Sequence, residues 1–189
     1  MGTSVNQRSP DTDNWRLVQS IYDNPNIPMD QALREVWRAA SNPNETNLAA
    51  LLSQPVIGMF AGLADRISSP SEAFQEATRF ISDNKVASLA SEIAKRAVIQ
   101  SAGTETPRQQ FLERLFAEAT NYLVARDLPG HVSPGSRLQN IADARRFTQE
   151  IMDTATEAVR RTPAPASLEG ENWPVYVQTV IGVMSRRRR

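Results

Sequence analysis

The sequence predicts an all-α protein: a multi-helix bundle of about eight or nine helices joined by short Pro/Gly loops. Three observations lead there. Apolar residues recur at three- and four-residue steps through most of the chain. Capping residues and prolines punctuate those stretches at helix-length intervals. No two segments alternate convincingly enough to pair as strands.

Residues 1–12 read as a flexible polar lead-in. Asp13 can cap a short helix through Tyr22, with Trp15, Val18 and Ile21 or Tyr22 inward. Asn24-Pro25-Asn26 breaks it. A second helix opens at Pro28 or Asp30 and runs to Ala40, burying Met29, Leu33, Val36 and Trp37, with Arg34, Glu35 and Arg38 outward. Leu48, Leu51 and Leu52 mark a brief helix that Pro55 closes.

The stretch PVIGMFAGLADRI, Pro55 to Ile67, is nearly uncharged. Its expected inner stripe is Val56, Met59, Phe60, Leu63 and Ile67. The reading is a buried core helix, with a partner-docking helix as the alternative. Ser69-Pro70-Ser71-Glu72 is a capping box for a helix carrying Phe74, Ala77, Phe80 and Ile81 inward. Asp83 then serves as cap for a helix from Lys85 to Gln100, with Val86, Leu89, Ala90, Ile93 and Ala97 on its inner face.

The central element is Thr106 to Arg126. Thr106 and Gln109 form a capping box, Pro107 suits the first turn, and Phe111, Leu112, Leu115, Phe116, Ala119, Tyr122 and Leu123 make one broad apolar face. A helix so apolar needs others around it. The loop from Asp127 to Arg137 follows, then a long helix from Leu138 to Arg161 burying Leu138, Ile141, Phe147, Ile151, Met152, Ala155 and Val159. Residues 13–161 are therefore expected to form the bundle. Residues 162–189 are expected to hold a Pro/Ala linker, a terminal helix and an Arg-rich tail. Val175, Val177, Thr179, Ile181 and Val183 alternate as a strand would, but Pro174 at the start favours helix.

Composition narrows the chemistry. Formal net charge is zero, with charged residues at 22% and hydrophobic residues at 40%, as in an ordinary globular protein. Cysteine is absent, which removes disulfides and thiolate chemistry. No apolar run reaches the ~18 residues of a membrane span, and a cytoplasmic protein without membrane partners is expected. Phosphate loops, dinucleotide fingerprints and histidine-based metal motifs do not occur, so no cofactor or metal is expected. His131 is the single histidine and reads as a solvated loop residue. The carboxylates Glu113 and Glu118, and Glu150, Asp153 and Glu157, sit at helical spacing that would suit a metal-dependent enzyme. Each group also has arginines beside it, and surface ion pairs explain it better. The expectation is a non-enzyme, with metal chemistry as an alternative.

The cations are lopsided: 19 Arg against Lys85 and Lys95. Guanidinium forks suit phosphate, although GC-rich coding gives the same skew. Arg108, Arg114, Arg126, Arg137, Arg145 and Arg146 are the candidate nucleic-acid contacts. If the central and long helices pack antiparallel, Arg126 and Arg137 flank the shared loop end, with Arg145 and Arg146 about two turns in.

The run Tyr122-Leu123-Val124-Ala125-Arg126, the loop to Ser136-Arg137, and Ile141-Ala142-Asp143-Ala144-Arg145-Arg146-Phe147-Thr148 together resemble the helical carboxy-terminal region of type I-D CRISPR large subunits. That region also exists as a separate small subunit of the interference complex. The resemblance implies a non-catalytic subunit that stacks with copies of itself and with other protein subunits along a crRNA-guided complex. There it would support guide RNA, target DNA or the displaced strand through arginine–phosphate contacts. The zero net charge departs from the basic character expected of such a subunit. The alternative is a helical protein–protein adaptor without a nucleic-acid role.

Overall fold

The computed structural model describes residues 19–40, 48–125, 128–168 and 170–185. Among them the chain is all-α, with nine helices and no strand. A helical segment over 19–23 (α1) is followed by α2 (Met29–Ala40), α3 (Leu48–Leu52), α4 (Pro55–Ala64), α5 (Pro70–Asn84) and α6 (Leu89–Ser101). Then come α7 (Pro107–Ala125), a 3-10 turn η1 (Leu128–His131), α8 (Ile141–Arg161) and α9 (Asn172–Ser185). The expected cap Asp13, with Trp15 and Val18, lies outside the described residues, as do 41–47, Arg126 and Arg186 to Arg189.

The centre is α7. Phe111, Leu112, Leu115, Phe116 and Ala119 are fully buried, and Ala117, Thr120 and Leu123 nearly so. Such a helix must be covered on several sides, and α3, α4, α6 and α8 all pack against it. On the amino-terminal side, α4, α5 and α6 meet one another and bury mostly small side chains: Ala61 and Ala64, Ala73 and Ala77, Ala90, Ala94 and Ala97. Alanine lets helix backbones approach closely while costing no side-chain entropy.

The carboxy-terminal element completes the core. Helix α9 packs on α2, α3 and α8, and Trp173 is buried with its indole N–H donating to the Leu52 carbonyl. The alternating β-branched residues of 175–183 thus belong to a helix. Val177, Val180 and Ile181 are buried while Val175 is 66% exposed, a helical rather than a two-residue rhythm. The expected linker is ordered against the bundle: Thr162 and Leu168 are buried, and Thr162 Oγ1 bonds the Ala158 carbonyl at 2.8 Å.

Several expected faces are rotated. In α4 the buried set is Ile57, Phe60, Ala61, Leu63 and Ala64, while Met59 is 46% exposed. Gly58 explains the turn: its missing side chain admits the Leu168 carbonyl, which would lie 2.5 Å from a Cβ there. In α5, Phe74 is 54% exposed and is capped by the Lys95 ammonium 4.5 Å from its ring centre. Ala77 faces inward as expected, and Ala73 takes the place given to Phe74. The α5–α6 junction also differs. Helix α5 runs on to Asn84 and ends at Lys85 in the left-handed region (φ 53°), and Ser88 caps α6 by accepting from Ser91 N–H. Asp83 is used on Arg79 at 3.4 Å, one turn back, so it does not cap. Leu89, placed first in α6, is 39% exposed.

Ser69 caps α5 as expected, accepting from Glu72 N–H at 3.3 Å, but Glu72 reaches back to Ser68. Helix α8 begins later than expected, at Ile141, because Asn140 accepts from Asp143 N–H at 3.0 Å and forms the cap. Ile141 is consequently 67% exposed, whereas Leu138 is buried before the helix starts.

The Gly58 contact gives a direct test. Gly58→Ala is expected to destabilise the fold by about 1–3 kcal/mol through overpacking against a backbone carbonyl. Gly62→Ala, four residues on with nothing within 4 Å, is expected to be neutral or stabilising by up to ~1 kcal/mol through helix propensity. Chemical denaturation of both variants checks the pair.

Candidate functional site

Helices α7 and α8 are antiparallel, tied near their opposite ends. Glu113, in the second turn of α7, is 5% exposed. It accepts two bonds from Arg160 in the last turn of α8, from Nε at 3.1 Å and from Nη2 at 2.9 Å. Gln109 donates to the same carboxylate at 3.1 Å. This bidentate hydrogen bond, with the charge of Glu113, raises Arg160 above its ordinary pKa. At the other end of the pair, the 128–140 segment connects the helices.

That connecting loop is more tightly built than its two Pro and two Gly suggest. Ser136 is buried and its hydroxyl meets the carbonyls of His131, Ser133 and Leu138 at 2.8–3.2 Å. An isolated bridge joins Val132 to Leu138. His131 is not a solvated residue: only 17% of its side chain is exposed, and Nδ1 donates to Asp23 Oδ1 at 3.0 Å. Its ring lies 5.3 Å from Tyr22, and Tyr22 meets Phe147 edge-on at 5.6 Å. Loop, α1 and α8 are thus fastened together.

Arg137 is part of that fastening. Its Nε donates to the Ile21 carbonyl at 3.3 Å, and Nη2 to those of Asn24 at 3.2 Å and Ile27. Its backbone N–H also bonds the Tyr22 carbonyl at 3.2 Å. All these acceptors are neutral, and burial draws the guanidinium below its ordinary pKa. Local sequence could not reveal this, because the partners lie more than a hundred residues away.

The five described candidate arginines do not form one cluster. Arg137, Arg145 and Arg146 lie at the loop end, where Arg145 and Arg146 are exposed on the second turn of α8 and have no carboxylate partner among the described residues. Arg126 lies outside the described residues. Arg114 stands partway along the α7–α8 face, in a groove of about 370 Å³ shared with Glu113, Asp153, Glu157 and Arg160. Arg108 is at the far end of α7, roughly 25 Å from the loop end at 1.5 Å per residue. Its Nη2 clamps the Pro165 and Ala166 carbonyls at 2.9 and 3.1 Å.

The carboxylates follow the ion-pair reading only in part, since Glu113 and Glu157 meet arginines while Asp153 and Glu118 meet glutamines. Glu157 bonds Arg161 at 2.8 Å, Asp153 accepts from Gln149 at 2.8 Å, and Glu118 accepts from Gln100 at 3.0 Å. No group of three or more potential metal ligands occurs among the described residues. No helix there is long and apolar enough to cross a membrane. Helix α4, the adaptor reading's docking face, lies in the core through Ile57, Phe60, Leu63 and Ala64.

A second cleft, of about 170 Å³, opens where the amino-terminal end of α2 meets that of α8. Arg137, Asp143, Arg146, Met29 and Phe147 are among its walls. Sequence spacing does not mark it, since α2 and α8 are far apart in the chain.

Two measurements follow. Arg160→Ala leaves the Glu113 carboxylate buried without its charge partner, and a loss of about 1–3 kcal/mol is expected in denaturant unfolding. Tyr176 is 4% exposed, and its hydroxyl has no hydrogen-bond partner among the described residues. Burial first, then the charge of Glu113, pushes its pKa from 10.0 up to about 12, against an opposing pull from Arg108. A phenol with a raised folded pKa contributes stability that is intact below pH 10 and lost as pH climbs toward 12. Thermal midpoints across that window should fall less steeply for Tyr176→Phe, by roughly 2 kcal/mol at the alkaline end.

Compared with protein-family models, with curated proteins and with solved structures, the chain matches none.

Proposed function

We propose that this chain is a non-catalytic helical subunit of a larger cytoplasmic assembly, of the kind its likeness to CRISPR interference-complex small subunits suggests. In this reading it lies along a guide RNA–target DNA duplex or a displaced strand, beside other protein subunits and further copies of itself. The contact residues are Arg145 and Arg146, with Arg114 as an outlying addition and Arg126 kept from the sequence reading. Arg108 and Arg137 hold the fold instead, through their bonds to backbone carbonyls.

One observation carries the reading: Arg145 and Arg146 stand exposed and without an acidic partner among the described residues, on a helix rigidly anchored at both ends. Guanidinium groups so placed offer forks to successive phosphates without reading bases. The mixed charge around Arg114 explains why contact would be confined to one end. With zero net charge overall, long-range attraction is small, and affinity for a strand would rest on the direct guanidinium–phosphate contacts.

The test is fluorescence anisotropy on a labelled single-stranded oligonucleotide, with the Arg145→Ala/Arg146→Ala variant alongside. Loss of two phosphate contacts should weaken binding about tenfold and flatten the salt dependence by roughly 1.5 in log–log slope. The unfolding midpoint should not move. Equal affinity and equal salt slope in the two proteins would refute the contact.

A further inference from the structure

The cleft between the amino-terminal ends of α2 and α8 has a chemistry of its own. Two guanidinium-bearing residues, Arg137 and Arg146, line it against a single carboxylate, Asp143. Arg137 hydrogen-bonds only neutral carbonyls, so its charge has no ionic counterpart among the described residues. Met29 and Phe147 supply apolar wall. We propose that this cleft is a binding site for one small oxyanion, a phosphate or carboxylate group bearing a compact apolar substituent.

Size selects the ligand class. At about 170 Å³ the cleft falls below the ~300 Å³ of ordinary cofactor and drug-sized sites, yet it admits a phosphate with a ring or short chain. The α7–α8 groove is larger, about 370 Å³, but Glu113, Asp153 and Glu157 outnumber Arg114 and Arg160 along it. Its charge opposes an anion. In the smaller cleft, Arg137 is immobilised by its carbonyl partners, and Arg146 at the rim can close over the ligand. A preset cation loses little entropy on binding, which favours a fixed geometry over a loose ion atmosphere.

The inference shares Arg146 with the nucleic-acid reading and rests on it only in taking that side chain as open to an anion. The experiment separates them. The intact chain is titrated with inorganic phosphate, phenyl phosphate and benzoate by calorimetry, using wild type, Arg146→Ala, Arg145→Ala and Asp143→Asn. The expected result is saturable binding, tighter for the ring-bearing anions than for inorganic phosphate. It should weaken about tenfold in Arg146→Ala, stay unchanged in Arg145→Ala, and strengthen severalfold in Asp143→Asn. Phenyl phosphate against benzoate decides which oxyanion is preferred. No saturable binding of any of the three, or equal affinity in Arg146→Ala and wild type, overturns the site. Oligonucleotide binding that needs both arginines while the small anions ignore Arg146 overturns the cleft and leaves the backbone contact standing. Small-anion binding that needs Arg146 without any oligonucleotide binding supports the cleft and removes the backbone contact.

Discussion

Burial of α7 is the constraint from which the architecture follows. Its large side chains, Phe111, Leu112, Leu115 and Phe116, are all removed from solvent, and no single neighbour can cover so wide a face. At about 25 cal/mol per Å² of apolar surface, each such side chain contributes on the order of 2 kcal/mol only if it is fully enclosed. Enclosure needs α3, α4, α6 and α8 together, and their positions leave a gap that α9 fills. The charged chemistry is displaced to the outer face and the ends of the α7–α8 pair as a result.

Arginine plays two unlike parts in this protein. Arg108, Arg137 and Arg160 act as fasteners: each reaches across the fold to carbonyls or to the buried Glu113. Arg145 and Arg146 make no such reach. Guanidinium is suited to both parts, since its five donors satisfy several acceptors at once and it stays charged when partly buried. The arginine skew therefore has a structural component as well as any binding role, and counting residues could not separate the two.

Much of the fold was legible because helices announce themselves locally. Ser69-Pro70 and Pro107 marked starts that the chain uses, and Pro174 rightly outweighed the alternating pattern of α9. Legibility failed where partners were distant. Nothing near Gly58 says that a carbonyl from residue 168 will rest on it. The start of α8 is a different case, because Asn140 ahead of Asp143 is a local cap signal that outweighs Gly135-Ser136 as the boundary. The candidate site was harder still. The exposure of Arg145 and Arg146 was readable from helical phase, whereas the carbonyl cage of Arg137 and the cleft beside it arise from segments that only tertiary packing brings together.

The seating of Trp173 has a consequence for how the protein is made. Its indole bonds a carbonyl 121 residues earlier, and it stacks beside Tyr176 and lies close to Gly58. While synthesis is under way, the helices that will flank it have already emerged and stand around an uncovered oily furrow. Closure waits for α9 to arrive. Nascent chains held short of α9 should therefore be the ones that chaperones grip and proteases cut, and the emergence of α9 becomes the moment at which the bundle turns resistant.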